Sequence, residues 1–280
     1  MKKTIISTLL CVGFIFPTIA QEKVNVDKYL PQAGDIALGI DAAPIGRLIN
    51  LFGEDNGSAT FRGVNNQIYL KYFLENDRAV RVKLGLNFTQ NKYKENVINE
   101  SEIIVHPTNT EAIVIDTRNE FINHVNLNTG YEFRRGKGRI QGFYGGEVLL
   151  GYASKANSYD YANPITSTIP EPKSADFNDS NLSPAQGHRV LKNAKGATFN
   201  VGLGGFVGAE YFLLPQLSIG GEFGLNFNYA ITGQNEITTE GSVGGYVQKY
   251  QYRGRSQNDN AFNVGISTLS TGTIFLLLHF

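Results

Sequence analysis

Tryptophan is absent, and cysteine occurs once, at Cys11. From about Gln21 onward there is therefore no thiol, so no disulfide can staple the fold. Charge of one sign is also missing: 25 basic residues face 25 acidic ones. That balance gives no electrostatic footprint for nucleic acid. Past the first twenty residues no apolar run approaches the ~18 residues a membrane-spanning helix needs. A chain like this can cross a bilayer only as a closed barrel of strands, because lipid leaves no partner for an unpaired backbone amide. What is plentiful fits that alternative: 31 glycines, 18 phenylalanines and 14 tyrosines suit β-structure better than helix.

The chain opens MKKTIISTLLCVGFIFPTIAQ. Lys2 and Lys3 precede an apolar run from Ile5 to Phe16, and Thr18-Ile19-Ala20 offers a small-residue exit. This layout predicts a secretory signal peptide over 1–20. Cys11 follows Leu10, where a lipoprotein site needs a small residue. A short periplasmic lead is expected over 21–34.

The most informative stretch is Phe199 to Thr232. Leu217, Ile219, Phe223, Leu225, Phe227, Tyr229 and Ile231 alternate with Ser218, Gly220, Glu222, Gly224, Asn226, Asn228 and Thr232. A period of two marks an extended strand with two unlike faces. Phe199 to Leu213 repeats the pattern, and Leu214-Pro215-Gln216 leaves room only for a tight turn. The pair predicts a long antiparallel hairpin. Similar alternation predicts strands over 35–43, 67–74, 79–89, 119–133, 140–153 and 261–280, eight in all. Residues 90–118 read as a hairpin extension with Ile103-Ile104-Val105 paired against Ile113-Val114-Ile115. Residues 44–63 read as a loop with a short amphipathic turn, and 154–196 and 233–260 as polar loops.

Alternation does not say which face meets water. Three features favour an apolar face turned outward into lipid. The connections after strands two, four and six are short while the others are long, the asymmetry of outer-membrane barrels. An export signal precedes them. The ending TIFLLLHF puts Ile274, Leu276, Leu278 and Phe280 on one face. Aromatics then fall into two girdles, one at the turn end (Tyr72, Tyr131, Phe133, Tyr211, Phe280) and one at the loop end (Phe88, Phe121, Tyr152, Phe199, Tyr229, Phe262).

In these segments the chain resembles the small eight-stranded outer-membrane β-barrels of Gram-negative bacteria, the OmpA/OmpX-like or "porin family" barrels. The resemblance is carried by Gly34-Asp35-Ile36-Ala37-Leu38-Gly39, by Gly208-Ala209-Glu210-Tyr211-Phe212 with Pro215-Gln216-Leu217-Ser218-Ile219-Gly220, and by the last strand. It implies that Ile274, Leu276, Leu278 and Phe280 act as the insertion signal read by the barrel-assembly machinery. The family pattern has a glycine five residues before the final Phe; here Phe275 stands there, and Gly272 is the nearest glycine.

The expected fold is all-β: an eight-stranded antiparallel up-and-down transmembrane β-barrel over 35–280. Eight strands leave an interior just wide enough for side chains to fill. The charges expected inside include Asp35, Asp41, Lys71, Arg81, Lys83, Glu132, Glu147, Glu210 and Glu222. Buried charge without a partner is disfavoured, so Lys71, Arg81, Lys83, Glu132, Glu147, Glu210 and Glu222 are expected to form an ion network that plugs the lumen.

Gly202-x-Gly204-Gly205-x-x-Gly208 has the wrong spacing for a dinucleotide loop, and no helix follows to receive a phosphate. The histidines His106, His124, His188 and His279 show no recurring ligand spacing, so neither a metal nor a cofactor is expected. His124 is the one candidate base for a lipid-modifying activity, but the sequence assembles no nucleophile–base pair around it. The expected role is structural or recognitive, presented by the long outer loops, and not enzymatic. The alternatives are a narrow porin for ions or small solutes and a soluble barrel with an apolar lumen. The expected surroundings are outer-membrane lipid, lipopolysaccharide and an extracellular partner, with the protein a monomer.

Overall fold

The computed structural model describes residues 28–41, 67–177, 188–254, 262–268 and 273–280. The expected leader over 1–20 and the amphipathic turn within 44–63 lie outside the described residues, as does the first half of the lead over 21–34. Among the described residues there are eleven strands: β1 Ile36–Asp41, β2 Gln67–Glu75, β3 Arg78–Ile98, β4 Ile113–Lys137, β5 Ile140–Asp160, β6 His188–Leu214, β7 Leu217–Thr232, β8 Glu236–Val243, β9 Tyr246–Arg253, β10 Phe262–Thr268 and β11 Thr273–His279. A short helix, α1, spans Glu100–Val105. No described helix is long and apolar enough to cross a membrane.

Eight of the strands close a ring. Its order is β1-β2-β3-β4-β5-β6-β7-β11, and β11 pairs back onto β1. Ile36 and Phe280 exchange both backbone hydrogen bonds at the seam. Every neighbour in the ring is antiparallel. The residues expected as one eighth strand form two segments on the same edge of β7: Phe262 to Thr268 pair with its upper half and Thr273 to Leu278 with its lower half.

Exposure decides the sidedness. Phe223, Leu225 and Phe227 are 64%, 55% and 50% exposed, while Lys71, Arg81, Glu132 and Glu210 are at most 2% exposed. A water-soluble fold buries the first set and solvates the second. The inverse pattern is what a hydrocarbon solvent selects. Of the outward aromatics, Tyr72, Phe133, Tyr211 and Phe280 ring the turn end, and Phe88, Phe121, Phe199 and Tyr229 ring the other. The side chain of Phe262 lies outside the description. Twelve residues separate Phe121 from Phe133 along β4. At about 3.3 Å per residue and a strand tilt of about 40°, that is roughly 30 Å, a bilayer's hydrocarbon thickness.

The strands outrun the membrane. β3, β4, β5 and β6 have 21, 25, 21 and 27 residues, where roughly ten suffice to span. The expected loops over 154–196 and 233–260 are therefore partly strand: β5 continues to Asp160, β6 begins at His188, and β8–β9 form a hairpin. Near Thr198, β6 exchanges β7 for β8 as its neighbour, with Gly233 N donating to Ala197 O at the handover. The outer sheet so formed is β3-β4-β5-β6-β8-β9. The expected pairing of Ile103–Val105 with Ile113–Ile115 is corrected: Ile113 to Ile115 pair with Asn96 to Ile98, and Ile103 to Val105 lie in α1. Asn99 caps that helix by accepting from Glu102 N at 3.1 Å.

Candidate functional site: a charged plug and a capped outer sheet

Inward residues at the turn end of the barrel alternate with the lipid-facing ones, so β2 to β7 each deliver acids, bases or aromatics to the axis. Two tiers result. In the tier nearer the turns, Lys71 Nζ lies 3.0 Å from Glu132 and 3.3 Å from Glu210. Arg134 Nη1 bridges the same two carboxylates at 2.9 Å each. In the next tier, Arg81 reaches Glu147 at 2.6 Å and Glu222 at 2.7 Å, and Lys83 reaches them at 3.0 and 2.9 Å. Arg81 also lies 3.7 Å from Glu132, which joins the tiers. All seven residues of the expected network thus meet. Arg134 joins them although it lies just past the expected strand over 119–133, because β4 runs on to Lys137 and the turn shrinks to Gly138-Arg139. Asp35, by contrast, stays at the mouth and accepts from Gln32 N; the side chain of Asp41 is not described.

Aromatic rings fill the space between the charges. The Arg81 guanidinium stacks on Phe206 with Cζ 3.1 Å from the centroid, and Lys71 Nζ sits 4.7 Å from the Phe143 ring. Phe73, Phe143, Phe212 and Phe275 are among the most buried residues of the chain. Cation–π contact gains strength in such a desolvated setting. These rings need bare backbone beside them. A Cβ on Gly208 would overlap the Phe143 ring, and one on Gly220 the Phe275 ring. The glycines of the rejected dinucleotide pattern therefore include one that makes room for the plug.

Two residues not singled out in the sequence complete the lower tier. Ser218 Oγ lies 2.5 Å from Glu210 Oε1 and 2.8 Å from His279 Nε2, and His279 Nε2 lies 3.2 Å from the same carboxylate. Serine, histidine and acid meet here, yet the relay geometry is wrong. A catalytic acid holds Nδ1 so that Nε2 can serve the nucleophile; here the serine and the acid share Nε2. The ring is instead wedged between Phe73 and Phe212, with centroids 5.8 and 5.1 Å away. His124, the candidate base, is exposed opposite Asn87. Among the described residues no cluster of His, Cys, Asp or Glu could hold a metal ion.

Beyond the outer girdle, residues 161–177 fold back over the sheet. Asp116 is fully buried, and its carboxylate accepts from Ala162 N at 2.8 Å and Ala175 N at 2.9 Å. Asn163 donates to Ile98 O and Lys173 O and accepts from Glu100 N. Tyr159, Phe177 and Val190 form a small apolar core underneath. The Tyr161 hydroxyl donates to Val190 O at 2.9 Å, and burial beside Tyr159 pushes its pKa above the usual phenol range. We expect Asp116→Ala to orphan two backbone amides and loosen this segment by about 1–3 kcal/mol. Hydrogen exchange would read faster opening over 161–177 with the membrane-embedded amides unchanged; equal protection in the variant would mean the apolar core alone holds the segment.

A closed eight-stranded ring, apolar outside and ion-paired within, defines a transmembrane β-barrel of the outer-membrane class. The sequence profile described as "Putative OmpA-OmpF-like porin family" matches residues 59–241. The chain belongs to that family. Among curated proteins no sequence relative matches. A solved structure similar to it is the crystal structure of the outer membrane protein OprG from Pseudomonas aeruginosa, with 13% identity over 90% of this chain and 98% of that one, at a TM-score of 0.33.

Proposed function

We propose that the protein is a monomeric outer-membrane barrel with a structural or surface-recognition role, exported by its leader and presenting the outer sheet as its contact surface. One observation carries this reading: acids and bases from six strands cross the lumen and neutralise one another at 2.6–3.7 Å. Such a cluster leaves a hydrated ion no continuous path, and opening it means separating buried pairs at several kcal/mol each. Membrane lipid and lipopolysaccharide are the partners of its apolar belt. Ile274, Leu276 and Leu278 on the outward face of β11, with Phe280 just past its end, serve as the insertion signal for the assembly machinery. No catalytic role is assigned, because the Ser218–His279–Glu210 cluster has its acid on the wrong nitrogen.

A narrow porin is the second reading, favoured by the family to which the chain belongs. Planar-bilayer recording of the purified protein separates the two. We expect rare, brief openings at most. Sustained channels of uniform conductance in the unaltered protein would replace our reading with the porin.

A further inference from the structure

The lumen changes character above the plug. Register places Asn126 of β4, Gly151 of β5 and Asn200 of β6 in one row, and Asn128, Leu149, Gly202 and Asn228 in the next toward the plug. Asn226 stands at the plug's edge opposite Gly204, and Asn87 pairs across to His124 on the outer side. All of these positions share the inward parity of Arg81, Glu132, Glu147, Glu210 and Glu222. None carries a formal charge unless His124 is protonated. The charged plug lies below this band, and the Lys155–Glu120 ion pair lies above it. Asn87 and His124 are exposed, and Asn126, Asn128, Asn200 and Asn228 are half-buried, so water reaches this space. Asn226 is 7% exposed, and its Oδ1 has no hydrogen-bond partner.

We infer that this band is a blind binding chamber for a neutral polyhydroxylated solute, a sugar or short oligosaccharide, entering from the outer face. The chemistry of the lining selects that class. Each carboxamide offers two donors and an acceptor, and each hydroxyl can answer as either. An ion gains little from neutral amides compared with its own water shell. An apolar solute would strip the amides of water and leave them unpaired, at about 1–3 kcal/mol each. A sugar also has a C–H face, and Leu149 is the apolar side chain turned inward beside Asn128 and Asn228 to receive it. Glycine lets the asparagine amides lie close against the barrel wall. A Cβ on Gly151 would lie 3.0 Å from Asn126 Oδ1 and 3.2 Å from Asn200 Cβ.

The test is side-chain amide NMR on the full-length protein in micelles, titrated through the millimolar range with maltotriose, cellotriose and triacetylchitotriose, with glutamate and choline as charged comparators. We expect at least one sugar to shift the Asn126, Asn128, Asn200 and Asn228 amides saturably, and the charged solutes to leave them in place. The double variant Asn126→Leu with Asn200→Leu keeps the branched side-chain shape and heavy-atom count while removing the amides, and should weaken binding at least tenfold. Heat-modifiable migration on gels would establish that the variant still forms a barrel, and Gly151→Leu, which fills the chamber, should abolish the shifts independently. Absence of saturable shifts with all three sugars, or equal shifts with glutamate or choline, would overturn the assignment.

Discussion

Replacing Arg81 by alanine is expected to cost about 3–5 kcal/mol, the range for removing one partner of a buried ion pair. Arg81 faces Glu147, Glu222 and Glu132, and its removal leaves Lys83 alone between two upper carboxylates. The Phe206 ring loses its cation at the same time. Reversible urea unfolding in lipid vesicles would report the loss as a lower midpoint. The same variant should conduct, because water and ions must then solvate the stranded carboxylates. A fall below about 1 kcal/mol, the value of an exposed pair, would mean that solvent already reaches the cluster and that the lumen is not plugged.

The second large effect tests which way the barrel faces. Leu225 lies midway along β7 and is 55% exposed in a band of exposed apolar residues. Leu225→Arg should cost about 2–4 kcal/mol in a bilayer, the penalty for a cation at mid-depth on the lipid face. Val247 is also exposed but lies on β9, beyond the outer girdle. Val247→Arg should change stability by less than about 0.5 kcal/mol, as ordinary surface substitutions do. Equal penalties at the two positions would contradict the membrane boundary drawn between the girdles.

Much of the barrel was legible in the sequence because lipid enforces strict alternation. Strands such as 217–232 must show hydrocarbon on every second residue, and a one-residue slip would turn Glu222 into the bilayer. That constraint ends at the outer girdle. Above it, residues 154–160 and 188–198 face water on at least one side and carry lysine, asparagine, serine and glycine without alternation, so they read as loop although they pair in regular ladders. Alternation also says which side chains share a face but not which of them touch. The meeting of Lys71 with Glu210, 139 positions away, depends on the registers of every strand between them. Arg134 was hidden for another reason: RRGKGR has the composition of a turn, and only pairing with Phe143 and Gly142 keeps Arg134 and Arg135 in the strand. The inward phenylalanines Phe143, Phe206 and Phe275 were masked by an expectation that aromatics belong to the lipid side.

The electroneutrality of the lumen cluster has a consequence for how the protein responds to voltage. Lys71, Arg81, Lys83 and Arg134 are matched in number by Glu132, Glu147, Glu210 and Glu222. A transmembrane field does about 2.3 kcal/mol of work per elementary charge per 100 mV, but only on net charge that moves. Displacing these four bases and four acids as one body moves none. A Donnan potential can polarise such a stopper but cannot drag it out, so its resistance to the field is built into its composition.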